Sequence, residues 1–309
     1  MRDAFIAELS SLLRSDNHVM ILTGDLGYGV FETIEKEFPA QYLNVGVAEQ
    51  NMIGIASGLA LEGFKVFVYS IGNFPTLRCL EQIRNDACYH NLNINIVASG
   101  GGFSYGALGM SHHATEDLAV MRAIPNTTVI APSSPWEAKY ATHALLNRKG
   151  VGYLRLDKSA YPFKPHNDTH FEIPHATQVQ DGKDVTIITT GGILTEAIRA
   201  ASMLNEAHIQ ARILSMHTIK PIDGLALRSA IQETGGIVVV EEHSRIGGLG
   251  SAISEYCMQH ALSPGFFKHI ALNDTFSSVV GTQEFLRKHY HIDANSIYNH
   301  VVDNVRPDL

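Results

Sequence analysis

Apolar positions alternate along the chain between two spacings. Over residues 2–14, Phe5, Ile6, Leu9, Leu12 and Leu13 fall on one helical face. Residues 18–23, HVMILT, then form a short continuous apolar run, the signature of a strand buried on both faces. The pattern repeats. Residues 31–38 predict a helix closed by Pro39, 42–47 a buried strand, and 49–61 a helix rich in small residues. Strands are expected at 65–69, 94–98, 128–131 and 152–156. Between them lie helices at 76–90, from Thr115 onward, and at 136–147. In the 76–90 helix, Leu77, Leu80, Ile83, Ala87 and Cys88 are expected to point inward. Thr115, Glu116 and Asp117 suggest a cap followed by first-turn acids. Residues 160–177 hold three prolines and read as a linker. Beyond it come strands at 184–190, 211–216 and 237–240, helices at 194–207, 225–234 and up to His260, and a turn at 218–223. Alternation of this kind predicts an α/β fold: two doubly wound domains with mostly parallel sheets. The expected limits are 1–160 and a smaller 179–309, with 161–178 between them.

One stretch stands out, residues 44–61, NVGVAEQNMIGIASGLAL. Glycine in a helix interior costs roughly 1 kcal/mol relative to alanine, so Gly54 and Gly58 call for compensation. They lie four residues apart on one face, where another helix or a ligand can approach closely. Glu49 falls at the strand-to-helix junction. It has two readings: a first-turn acid favoured by the helix dipole, or a carboxylate in an apolar setting suited to proton exchange with a ring nitrogen.

The turn Gly24-Asp25-Leu26-Gly27 follows a strand's carboxyl end, where open parallel sheets bind ligands. Asp25 is equally a plain turn residue. The run 99–102, SGGG, lacks both a GxGxxG context and a P-loop lysine, so it reads as a closely approached loop and not as a phosphate cradle. Gly247, Gly248 and Gly250 open a helix, either to bind an anion or to pack tightly on the sheet.

Composition narrows the function. The 309 residues suffice for two cores, and a formal net charge of -8 argues against nucleic acid or an anionic membrane as partner. No apolar run reaches membrane-spanning length. The three cysteines lack metal spacing and suit a reducing, cytoplasmic setting. The 16 histidines form no metal motif, so no metal site is expected from this chain alone.

Three stretches together resemble the transketolase family of thiamine-diphosphate enzymes. Residues 44–61 resemble its activating-glutamate segment. Residues 109–132, GMSHHATEDLAVMRAIPNTTVIAP, are similar to its histidine-bearing loop and the helix after it. TIKPID and EEHSRIGGLGSAISE resemble its carboxy-terminal domain. The resemblance implies a pyrimidine-binding domain followed by the transketolase C-terminal domain. The family's GDG…Asn motif, which holds Mg²⁺ and the diphosphate, is absent, so an amino-terminal partner subunit is implied, as an α2β2 assembly. By the same resemblance Glu49 hydrogen-bonds the cofactor's pyrimidine N1′, Phe74 and Leu77 take positions at the pyrimidine pocket, and Asp25 lies at the subunit interface near the cofactor. His112 contacts or relays a proton to substrate oxygen, and Arg155 binds a sugar phosphate; read from the residues alone, Arg155 is equally a strand-end arginine paired near Asp157. Arg78, close to the pocket segment, is a candidate for an anionic substrate group. The family's second histidine and aspartate are replaced by Gly100 and Leu108. The implied activity is ketol transfer between a ketose and an aldose by a split transketolase. A deoxyxylulose-phosphate-synthase-like condensation, the β subunit of a 2-oxo-acid dehydrogenase component, and a cofactor-free relic are the competing readings.

Overall fold

Four apolar runs at the start of the chain become adjacent strands of one sheet. In the computed structural model, which describes residues 1–163 and 170–305, β1 (Val19–Thr23), β3 (Lys65–Ile71), β4 (Ile94–Ser99) and β6 (Val151–Leu156) lie side by side and parallel. They are buried nearly throughout, which is why their sequences run apolar without alternation. Two further strands, β2 (Tyr42–Asn44) and β5 (Thr127–Ile130), extend the sheet parallel at its two sides. Helices α1 (Arg2–Ser15), α2 (Glu32–Glu37), α3 (Glu49–Leu61), α5 (Asp117–Ala123) and α6 (Pro135–Leu146) cover it. The stretch expected as one helix at 76–90 is irregular. A 3₁₀ turn at Leu77–Cys79 leads into one short α-helical turn, α4 (Leu80–Gln82), and then a π-helical turn at Ile83–Cys88. Ile83, Ala87 and Cys88 point inward as expected, but Leu77 does not. The strand expected at 42–47 is a short edge strand with Leu43 and Val47 exposed. Thr115 does not cap α5, whose cap position is Glu116 without a side-chain bond.

The second sheet has the order β12-β11-β8-β9-β7, built from β7 (Thr177–Gln180), β8 (Val185–Thr189), β9 (Ala211–Ser215), β11 (Ile237–Ser244) and β12 (Phe267–Leu272). Only β7 runs antiparallel. Helices α7 (Leu194–Glu206), α8 (Gly224–Glu233), α9 (Leu249–Gln259), α10 (Gln283–His289) and α11 (Ala294–Val305) pack around it. The sequence pattern did not single out β7, β12, α10 or α11. The TIKPID stretch is not simply a turn. Its first residues form β10 (Thr218–Lys220), which pairs antiparallel with β5 and completes the first sheet as its seventh strand. The division at residues 161–178 is therefore crossed by a strand. It is crossed by the core as well: Leu118 and Met121 of α5 belong to one apolar cluster with Met216, Leu249 and Ile253. Part of the expected linker, residues 164–169, and the chain end at 306–309 lie outside the described residues.

Candidate active site

The carboxyl ends of β1, β3 and β4 open into loops beginning at Gly24, Gly72 and Gly100. Glu49 meets these loops as the first residue of α3. Its side chain is 3% exposed, and a β-carbon at Gly24 would stand 3.6 Å from its Cγ. The carboxylate is not alone, as its apolar sequence neighbours suggested. Arg78, from the 3₁₀ turn, donates from Nη1 to Glu49 Oε2 at 2.6 Å. A buried carboxylate needs such a partner to remain charged, and the helix start adds a favourable dipole. The first-turn position expected for Glu49 is observed, while the unpartnered apolar setting is not. Among the described residues no hydrogen bond reaches Oε1, which leaves one acceptor of the buried carboxylate for a ligand.

From Arg78 the contacts continue outward. Its guanidinium lies 5.0 Å from the Phe74 ring centroid, an ordinary cation–π distance. Phe74 in turn meets the His112 ring edge to face, with centroids 5.2 Å apart at 75°. Ser111 Oγ stands 3.0 Å from His112 Nδ1. Glu49, Arg78, Phe74 and His112 are therefore brought into one line of contacts. Leu77 is 42% exposed at its edge, outside the core. Asp25 lies one loop away with φ +56°. Its backbone N–H donates to Asn44 Oδ1 at 2.9 Å, and its Oδ1 accepts from the Tyr28 hydroxyl at 2.9 Å, so it ties the loops after β1 and β2 together. Cys79 adjoins this site, but burial, and then the Glu49 charge, push its thiol up to about 12 and keep it from acting as a thiolate.

Arg155 does not join this group. It is 3% exposed and faces Asp117 Oδ1 at 3.6 Å and Asp157 Oδ1 at 3.3 Å, and it donates to the Glu242 carbonyl at 2.9 Å. Glu242, on β11, also accepts from Phe103 N, Gln283 and Arg287. Enclosed between the two sheets, Arg155 clamps the domains together and, in this arrangement, offers no face to a sugar phosphate. Gly100, Gly101 and Gly102 permit that closeness, since β-carbons there would collide with Tyr105, Arg155 and Glu242. The anion reading of Gly247–Gly250 also fails. The N–H groups of Leu249 and Gly250 are already taken by Glu241 at 2.8 and 2.9 Å.

The Glu49–Arg78 pair escaped the sequence reading. The two residues are 29 apart, and the irregular 76–90 stretch turns Arg78 toward the carboxylate. Of the neighbouring histidines His112 and His113, the second is the buried one.

The open face of α3 is the site's other boundary. Val47, Gly54, Gly58 and Leu61 are exposed along it, and among the described residues nothing outside the helix's own nearby backbone lies within 4 Å of a β-carbon built at either glycine. The close approach that those glycines invite is not made by any of the described residues.

Comparison with known proteins identifies the family. Residues 1–164 match the model for the transketolase pyrimidine binding domain, and residues 175–297 that for the transketolase C-terminal domain. An apulose-4-phosphate transketolase subunit of Phocaeicola vulgatus is 36% identical over 99% of this chain and 97% of its own. A 6-deoxy-6-sulfo-D-fructose transketolase subunit of a Clostridium species is 32% identical over 96% and 92%. A split-gene transketolase solved as an inactive β4 tetramer superposes with a TM-score of 0.87 at 34% identity, covering 98% of this chain and 97% of that one. The chain belongs to the thiamine-diphosphate-dependent transketolase family and carries that family's pyrimidine-binding and C-terminal domains as a split-enzyme subunit.

Proposed function

We propose that the chain works with a separate amino-terminal subunit, as α2β2, to transfer a two-carbon ketol unit from a ketose donor to an aldose acceptor. The observation that carries this reading is the buried Glu49 carboxylate with one oxygen held by Arg78 and the other free. That donor set fits a cationic or N–H-bearing aminopyrimidine edge. Thiamine diphosphate, when bound, supplies the carbon nucleophile. Glu49 holds and exchanges a proton at pyrimidine N1′. Phe74 and Leu77 flank the ring, and Asp25 steadies the loop beneath the subunit junction. Arg78 holds Glu49 Oε2 and leaves Oε1 to the pyrimidine, and its guanidinium, 47% exposed, has further N–H groups for an anionic group on the substrate. His112 meets the substrate's oxygen and moves its proton. The GDG…Asn element is absent here, so Mg²⁺ and the diphosphate fall to the partner, and the open glycine face of α3 is where that partner would seat. Three free, buried cysteines suit a reducing compartment such as the cytoplasm.

The test uses the two subunits mixed with Mg²⁺ and thiamine diphosphate, a ketose donor and glycolaldehyde. Glu49→Gln is expected to assemble normally and lose roughly 10²–10⁴-fold in kcat. Wild-type turnover by that variant would remove Glu49 from the chemistry. Calorimetric titration of the cofactor into the same complex separates lost binding from lost catalysis.

A further inference from the structure

Residues 103–113 leave the first domain and return to it as one closed loop. At its feet the Gly102 N–H donates to the Ala114 carbonyl at 2.8 Å, and the Ala114 N–H donates back to Gly102 at 3.0 Å. His112 sits near the end of that loop. Its imidazole meets Ser111, on the same loop, and the Phe74 ring, so its aim follows from where the loop backbone lies. The first domain supplies this loop, but the second domain holds it. Strand β11 grips both feet. Glu242 accepts a hydrogen bond from the Phe103 N–H, and the Ser244 N–H donates to the Thr115 carbonyl at 2.8 Å. Farther along, the Gly281 N–H reaches the Gly106 carbonyl at 3.3 Å, and Tyr290 stacks on Phe103 with centroids 5.3 Å apart at 18°. Phe103 in turn meets the His113 ring edge to face, next to His112.

Glu242 is the centre of this grip. Its side chain is 2% exposed, and both carboxylate oxygens are taken. Oε1 accepts from Phe103 N and, at 2.8 Å, from Gln283 Nε2, and Oε2 accepts from Arg287 Nε. Arg287 is fixed from its far side by Ser159 Oγ at 2.8 Å. A β-carbon at Gly102 would collide with Glu242, so the carboxylate lies directly against the loop's foot. Charge-assisted bonds of this kind are short and directional, and they hold the groups they join in one geometry. As a mere tie between domains Glu242 would be redundant, because the β10–β5 pairing and a shared apolar cluster already join them. We propose that Glu242 is a positioning residue for the reaction: from the second domain it fixes the foot of the 103–113 loop and thereby aims His112. This rests on the ketol-transfer reading above, in which His112 moves a proton at the substrate's oxygen.

The test assembles wild-type and variant chains with the amino-terminal subunit, Mg²⁺ and thiamine diphosphate. Glu242→Gln keeps an acceptor for Phe103 but withdraws the charge from Arg287. It should lower kcat roughly 10–100-fold, the scale of a misaimed catalytic group. Cofactor affinity by calorimetry should stay within about twofold, since Glu49 and Arg78 lie outside the loop. In a His112→Ala background the same change should cost less than about twofold more. Additive losses would overturn the proposal, because a purely structural role does not depend on His112. Hydrogen–deuterium exchange gives the second readout. Amides of residues 104–113 should exchange about tenfold faster in Glu242→Gln while those of α3 are unmoved, and unchanged exchange in the loop would also overturn it. Gln283→Leu, at a half-buried position outside the ion pair, preserves the fold and should speed the same amides about threefold. Full turnover by His112→Ala, or no ketol transfer by the wild type, would overturn the underlying reading instead, and loop exchange would still decide whether Glu242 holds the loop.

Discussion

At the residue scale the chain's chemistry depends on how buried charges are partnered. Glu49 and Arg155 are both nearly inaccessible, but their surroundings differ in kind. Glu49 has one cation and one open oxygen, whereas Arg155 is surrounded by Asp117, Asp157 and the Glu242 carbonyl. Burial alone would lower the Arg155 pKa, but Asp117 and Asp157 together raise it, so it stays charged at any working pH. Removing it leaves buried acids uncompensated. Arg155→Met should therefore lower unfolding free energy by about 3–5 kcal/mol, read from urea denaturation. A loss below about 1 kcal/mol would show that the cluster tolerates the missing cation. Sequence reading offered a pairing of Arg155 near Asp157, which the structure shows at 3.3 Å, but it assigned no partner to Glu49, because that ion pair is set by tertiary distance and not by spacing along the chain.

At the element scale, capping and turn geometry decide how side chains are aimed. Ser134 caps α6 by accepting from Glu137 N at 3.1 Å, and Glu137 reaches back to Ser133 N at 2.7 Å, a capping box shifted by one residue. Glu137 is fully buried, and burial raises its pKa to about 7 despite those bonds. A carboxyl whose folded pKa exceeds its unfolded value binds its proton more tightly when folded. Its stabilisation is complete below the unfolded pKa and is lost as pH rises through about 7. Melting temperature should accordingly fall between pH 5 and pH 8 by more in the wild type than in Glu137→Gln. The difference corresponds to something on the order of 3 kcal/mol, and equal slopes would refute the assignment. The 76–90 segment shows the limit of periodicity. Its apolar residues fit one helix on paper, but π and 3₁₀ turns rotate Leu77 and Arg78 out of the expected register. Such turns are frequent where a backbone must present a functional side chain.

At the scale of the whole molecule, the two domains are joined by several contacts. The shared apolar cluster, the β10–β5 pairing and the Arg155–Glu242 contact join the sheets. Among the described residues the face of α3 around Gly54 and Gly58 has no neighbour. Gly58→Leu should leave circular dichroism and melting of the isolated chain unchanged or slightly improved, since leucine favours helix by close to 1 kcal/mol over glycine. Co-assembly with the amino-terminal subunit, followed by sedimentation velocity, should be lost. Normal assembly by that variant would place the junction elsewhere.

By itself the sequence determined the α/β alternation, the buried parallel strands, the glutamate at a strand-to-helix junction and the missing diphosphate motif. Each of these is written in local order: apolar period, residue type and spacing. Only the tertiary structure decided that Arg78 grips Glu49, that Arg155 is sealed between the domains, that Thr218–Lys220 completes the other domain's sheet, and that His113 is buried beside a half-buried His112. Those outcomes depend on which surfaces meet across dozens of residues, and pairing and desolvation at such distances leave no periodic trace in the chain.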